Sequence, residues 1–195
     1  MPDFDWEGFL RRWSREIIAT GAYNQMLPPE VISSGWLGYP GATEDQLRQA
    51  ESRLGVQLPP SYRQFLATTN GWRMTGTFIF QMWSTEEIDR FSVRNQDWID
   101  DFTLYGAAST PDSQYFVYGE GQDPIWIRTE YLPTMLEISD TGDDAIYLLN
   151  PHIVTPEGEW EAWFFGNWLP GAQRYRSFLE MMQAEYASFR RLIQP

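Results

Sequence analysis

TEDQLRQAESRLGVQLPPSYRQFLATTNG, residues 43–71, decides the fold of this 195-residue chain. It reads as two short helices divided by Leu54-Gly55 and Leu58-Pro59-Pro60 and closed by Asn70-Gly71. Thr43-x-x-Gln46 is a capping box: the Thr hydroxyl can accept the N–H of Gln46, whose side chain reaches back to the Thr43 N–H. Leu47, Ala50 and Leu54 follow at helical spacing, and Gly55 suits the left-handed residue that ends a helix. Pro60 fits the first turn of the next helix, where its missing N–H has no partner to lose. Tyr62, Phe65 and Leu66 form the apolar stripe of that helix.

Working outward, residues 5–20 repeat Trp6, Phe9, Leu10, Trp13, Ile17 and Ile18 at three- and four-residue intervals, the pattern of an amphipathic helix. Residues 21–42 hold Pro28, Pro29, Gly35, Gly38, Pro40 and Gly41 and read as an irregular connection. Downstream, residues 77–83, 114–118, 125–127, 132–138, 145–149 and 159–163 read as strands. Their spacing, with Gly, Asp and Pro between them, suits a mainly antiparallel sheet. The partial alternation at Glu159-Trp160-Glu161-Ala162-Trp163 suggests one solvated sheet face. Ser84-x-x-Glu87 is a second capping box, expected to open a helix toward Phe91 and Trp98. Phe178, Leu179, Met182, Tyr186, Phe189 and Ile193 mark a long last helix. The expected fold class is α+β, a single domain whose antiparallel sheet is packed on one face by N- and C-terminal helices.

Residues 43–71 resemble the signature of the SUKH superfamily, the Smi/Knr type of domain. The matching positions are Glu51, Leu54, Gly55, Leu58, Pro59, Tyr62, Phe65, Leu66, Asn70 and Gly71. Residues 138–150, ISDTGDDAIYLLN, are similar to the family's Gly-Asp turn feeding a hydrophobic strand, and Ser177-Phe178-Leu179 to its terminal helix. The resemblance divides the chain into residues 1–42, a helix and connection that belong to or extend the domain, and a SUKH-like domain over 43–195. It implies an α+β fold and a protein-binding role. In bacteria that role is immunity against toxins, often nucleases; relatives elsewhere serve as regulators or scaffolds. Fold therefore follows from it more firmly than function.

The chain has no cysteine, which removes disulfides, thiolate nucleophiles and Cys-based metal sites. All 14 basic residues are arginine. Asp3, Asp5 and Glu7 stand where a secretory signal would carry positive charge, and no apolar run reaches the roughly 20 residues that span a bilayer. The expectation is a soluble cytoplasmic protein without membrane contact. The formal net charge of −13 is concentrated: residues 95–161 hold 14 acidic residues against Arg128 alone. Such a balance argues against direct nucleic-acid binding, which needs a basic footprint. It favours a cationic protein partner, because complementary fields speed encounter. A basic toxin domain with a nuclease cleft is such a partner. The candidate contact residues are Asp97, Asp100, Asp101, Asp140, Asp143 and Asp144.

Catalytic readings are weaker. DTGDD at residues 140–144 offers oxygen ligands for a hard cation, but it lacks the EF-hand order, and Asp-Gly clusters commonly close turns through side-chain-to-backbone bonds. Paired carboxylates among many tryptophans raise glycoside hydrolysis or glycan binding as alternatives. His152, the sole histidine, has no local partner signature for general-base work. Gly119-Glu120-Gly121 lacks the Lys and Ser/Thr of a phosphate loop. The expectation is a protein without catalytic residues, metal or cofactor.

Overall fold

The computed structural model describes residues 4–104, 109–166 and 168–193. In chain order the helices are α1 (Trp6–Thr20), α2 (Pro29–Ser34), α3 (Glu44–Leu54), α4 (Pro60–Thr68), α5 (Phe91–Arg94), α6 (Gln96–Leu104), α7 (Asp112–Tyr115) and α8 (Phe178–Ile193). The strands are β1 (Trp72–Arg73), β2 (Gln81–Met82), β3 (Asp89–Arg90), β4 (Leu136–Glu137), β5 (Ala145–Val154), β6 (Trp160–Gly166) and β7 (Ala172–Tyr175). β3 to β7 form an antiparallel five-stranded sheet in sequential order, and β1 pairs with β2 in a small ribbon. The fold is α+β.

The signature region folds as its residues require. Thr43 and Gln46 exchange both capping-box hydrogen bonds, and Gly55 ends α3 at φ 67°. Glu51 joins the two helices: its Oε1 accepts the Leu58 N–H at 3.1 Å and the Arg63 Nε–H at 3.3 Å. Pro59 precedes α4, which starts at Pro60. The Asn70 side chain accepts the Thr85 N–H at 2.8 Å, fixing the turn after α4 against the 84–87 segment. Leu54, Leu58, Tyr62, Phe65 and Leu66 are all buried.

Successive residues of a strand point to opposite sheet faces, and here both faces are covered. Ala145, Tyr147, Leu149, Ala162 and Phe164 enter one apolar cluster with α1, α4 and α8. Its centre is aromatic: Phe178 packs 4.9 Å from Tyr62, 5.1 Å from Phe65 and 5.5 Å from Trp6 between ring centroids. Ile146, Leu148, Trp163 and Phe165 enter a second cluster with α5, α6, α7 and the 310 turn Thr129–Thr134. Phe102 of α6 lies 4.7 Å from Phe165.

This second cover corrects the expectation of a solvated face. The alternation in β6 is muted because every one of its residues is buried. Several expected strands are also absent. Residues 114–118 contribute to α7 and the turn after it, 125–127 form a turn, and strand structure within 77–83 and 132–138 is limited to β2 and β4. The first two of those segments each turn one buried apolar residue inward, Tyr115 and Ile127, so their hydrophobicity reflects anchoring of a cover. Ser84 and Glu87 form their side-chain bonds, 3.0 Å from the Ser84 N–H and 2.7 Å from its hydroxyl, yet close only a turn. In the opposite direction, α2 stands inside the expected irregular connection, and β7 completes the sheet.

Leu66→Ala should lower stability by about 2–5 kcal/mol, because Leu66 is fully enclosed and the cavity cannot be refilled by water. Urea denaturation measures it; a cost below about 0.5 kcal/mol would contradict the burial.

Candidate partner-binding surface

The structure sorts the 14 acidic residues of segment 95–161 into two groups. Four are withdrawn from solvent: Glu137, Asp140, Glu159 and Glu161. The other ten are exposed: Asp97, Asp100, Asp101, Asp112, Glu120, Asp123, Glu130, Asp143, Asp144 and Glu157. The single arginine of the segment does not neutralise them evenly. Arg128 pairs with Asp112, donates to the Thr110 carbonyl at 2.9 Å and to the Tyr131 hydroxyl at 3.2 Å, and lies 4.6 Å from the Tyr115 ring. The exterior of the segment is thus strongly acidic.

The withdrawn carboxylates each have internal partners. Glu159 accepts the Ser61 N–H at 2.9 Å and its hydroxyl at 2.6 Å, satisfying free donors in the first turn of α4. Glu137 accepts from Asn95 at 2.7 Å and Trp83 at 3.3 Å, with Arg94 at 3.8 Å. Burial still pushes the Glu137 carboxyl above its ordinary range. Glu161 and Arg174 are each 1 % exposed and meet at 3.4 Å. Glu161 also accepts from Tyr115 at 2.5 Å, Tyr118 at 2.8 Å, Asn150 at 2.9 Å and Trp163 at 2.7 Å. Burial, then the neighbouring Glu161 charge, drives the Tyr115 and Tyr118 hydroxyls well above their ordinary values, so they act as donors.

The candidate aspartates divide the same way. Asp97, Asp100 and Asp101 lie on α6 with exposed side chains; Asp100 accepts from Gln96 at 2.8 Å. Asp143 and Asp144 lie exposed on the turn entering β5. Asp140, in that same turn, is half-buried and accepts the Phe80 N–H at 3.1 Å. Burial raises its carboxyl against the pull of these backbone donors, so it braces the turn. Gly142 explains the tightness: at φ 24°, a Cβ there would sit 1.8 Å from the Phe78 carbonyl oxygen. The two groups reach the same end of the β5–β6 pair, since α6 sets Phe102 on Phe165 and the turn leads into Ala145, which pairs with Gly166.

Among the described residues no group of three or more His, Asp or Glu side chains is gathered as a metal site would need. His152 stacks on Tyr131 at 4.9 Å and its Nε2 lies 2.6 Å from the Thr134 hydroxyl. A polar cleft of about 880 Å³ is bordered by Tyr39, Gln46, Asn70, Gln81, Glu86 and Glu87. Most of its polar side chains are already bonded: Gln46 to Thr43, Asn70 to Thr85, Gln81 to Met82 and Glu87 to Ser84. No helix of the described residues is long and apolar enough to cross a membrane.

The Glu161 network escaped sequence reading. Its members are spread over residues 115–174, and their one visible trace is an arginine in the alternating Ala172-Gln173-Arg174-Tyr175 segment. The arginine at that sheet-facing position marks a buried partner.

An antiparallel sheet with helical layers on both faces and an α3–α4 pair bound through Glu51 defines a two-faced α+β domain. The family model described as the SMI1 / KNR4 family (SUKH-1) matches residues 41–191, and the chain belongs to that family. No curated protein matches the chain.

Substitutions at three residues probe the interior charges. Arg174→Met should cost about 3–5 kcal/mol by leaving Glu161 buried without its counter-charge. In urea denaturation the double variant Arg174→Met, Glu161→Leu should recover part of that loss. Glu185 of α8 accepts the Tyr147 hydroxyl at 2.8 Å, and burial pushes its carboxyl from 4.5 up to about 7. Between those values the unfolded chain releases the proton first, so this group's contribution declines as pH rises from about 4.5 to 7 and stays low above. Glu185→Gln should gain stability over wild type across that window, read from urea midpoints at pH 4.5, 6 and 8. An equal difference at all three would contradict the raised value.

Proposed function

We propose that this protein is a non-catalytic cytoplasmic immunity factor that holds a basic toxin domain, such as a nuclease, inactive by covering its cleft. The observation that carries the reading is the outward display of ten carboxylates on one segment whose only arginine pairs with just one of them, Asp112. Membership of the SMI1 / KNR4 family agrees with it. Within the acidic surface the contact residues are Asp97, Asp100, Asp101, Asp143 and Asp144, with Asp140 holding the turn that presents the last two. Occlusion and electrostatic steering need no cofactor. In the same reading residues 1–42 belong to the domain, because Trp6 and Trp13 of α1 share the core of α4 and α8. A glycan hydrolase finds less support: Glu161, the most hydrogen-bonded carboxylate, has no access to a substrate.

Co-expression with toxin domains encoded beside the gene tests immunity directly, with survival of the host as readout. For a domain that is neutralised, replacing the five aspartates by asparagine should slow association about tenfold and flatten its salt dependence, while dissociation changes less. Unchanged association would sink the acidic surface and leave immunity standing. A regulatory scaffold with a neutral partner would instead show an association rate insensitive to salt.

A further inference from the structure

Of the ten tryptophans, all of them described, Trp168 alone is exposed, at 48 %. Its ring packs 5.4 Å from half-buried Phe78 and 5.8 Å from buried Phe164, and its Nε1 donates to the Asp143 carbonyl at 3.2 Å. The Phe78 carbonyl in turn accepts the Asp143 N–H at 2.8 Å, and the Gly142 backbone approaches it too closely for any side chain. Trp168 is therefore held from three sides while one side faces water. Asp143, whose carbonyl the indole bonds, and its neighbour Asp144 both have exposed side chains. Asp144 adopts φ 54°, a left-handed conformation that asparagine and aspartate tolerate better than most residues.

The geometry points to Trp168 as the apolar anchor of the partner interface, flanked by Asp143 and Asp144. It fits a protein surface bearing an apolar slot edged by arginine or lysine. A tryptophan serving only to shield Phe164 would need no exposed acidic residues in the turn it bonds. Their charge selects a basic rim, and the indole supplies the desolvated contact that typically dominates an interface. Because the ring is fixed before binding, little side-chain freedom is lost on docking. The inference rests on the reading above that the partner is a basic protein.

The probe is a purified, catalytically inactivated toxin domain that the wild-type protein neutralises in the co-expression assay. By surface-immobilised kinetics, Trp168→Ala should weaken binding about 30-fold or more, chiefly through faster dissociation. Asp143→Lys should weaken it by a similar factor through slower association, whereas Glu120→Lys, an exposed reversal away from the turn, should change it less than threefold. Near-UV circular dichroism and the urea midpoint establish that each variant is folded, and Trp168→Tyr should restore part of the affinity if Trp168→Ala is unstable. Wild-type affinity in folded Trp168→Ala overturns the inference while leaving immunity intact. Equal effects of Asp143→Lys and Glu120→Lys overturn the local role of the turn. Failure of the wild-type protein to neutralise any toxin domain overturns the reading beneath the inference and the inference with it.

Discussion

The placing of residues 115–122 on the second sheet face depends on one buried ion pair. Glu161 of β6 and Arg174 of β7 point to that face with almost no solvent contact. Removing two charges from water costs several kcal/mol per ion, and their attraction offsets that only with good geometry and further hydrogen bonds. Some of those bonds come from the sheet itself, from Asn150 of β5 and Trp163 of β6, and the others from outside it. Tyr115 and Tyr118 donate to Glu161 from the α7 region, and the guanidinium lies 4.3 Å from the Tyr115 ring while donating to its carbonyl. Gln122 adds a pair of bonds to the Arg174 backbone, at 2.6 and 2.8 Å, in place of a neighbouring strand. An exposed row of edge donors and acceptors is a liability, and Gln122 closes part of it. Satisfying the ion pair therefore fixes where residues 115–122 must sit.

That constraint explains how a segment with little regular structure can present charge in a defined pattern. The cover holds itself with short helices and 310 turns, each anchored by one or two inward side chains such as Ile99, Tyr115 and Leu132. Its remaining positions face water and are free to be acidic. The carboxylates divide by what lies within reach. Those near free backbone donors or a buried cation fold inward, as Glu159 does on α4 and Glu161 on Arg174. The rest face water, some with a local partner, as Asp123 has in the Ile125 N–H and Asp112 in Arg128, and their mutual repulsion is tolerable at the solvent boundary, where screening is strong.

How much of this was legible in the sequence depended on whether the deciding interaction was local. The α3–α4 pair was readable because its caps, Gly55 and Pro60 act within a few residues. The same holds for α1 and α8, whose apolar stripes repeat at helical spacing. The short apolar runs at 114–118 and 125–127 were misread as strands, because periodicity over so few residues cannot separate a strand from an anchored turn. For α2, Pro28-Pro29 was a readable start, with proline at the first helical position and Gly35 closing at φ 65°. It was hidden by reading every Pro and Gly there as a breaker. β7 was lost because Arg174 makes sense only once Glu161, thirteen residues earlier, is seen beside it. The candidate aspartates were legible as a charge excess, but their division was not: nothing local separates Asp140, which holds Phe80, from Asp143, which faces water.

The family signature and the acidic surface occupy different parts of the molecule. Leu54, Leu58, Tyr62, Phe65 and Leu66 all pack into the first core, under α1 and α8. Glu51 and Asn70 spend their side chains on Leu58, Arg63 and Thr85. None of these groups lies on the cover of the second face. A signature built from caps, a helix junction and core aromatics is a requirement for folding, and it constrains the partner hardly at all. The cover, in contrast, is tied to the sheet at a few buried points, and its outward positions can change without disturbing them. A fold arranged in this way can keep its core signature while the charge and shape of its exposed segment follow those of the protein it binds.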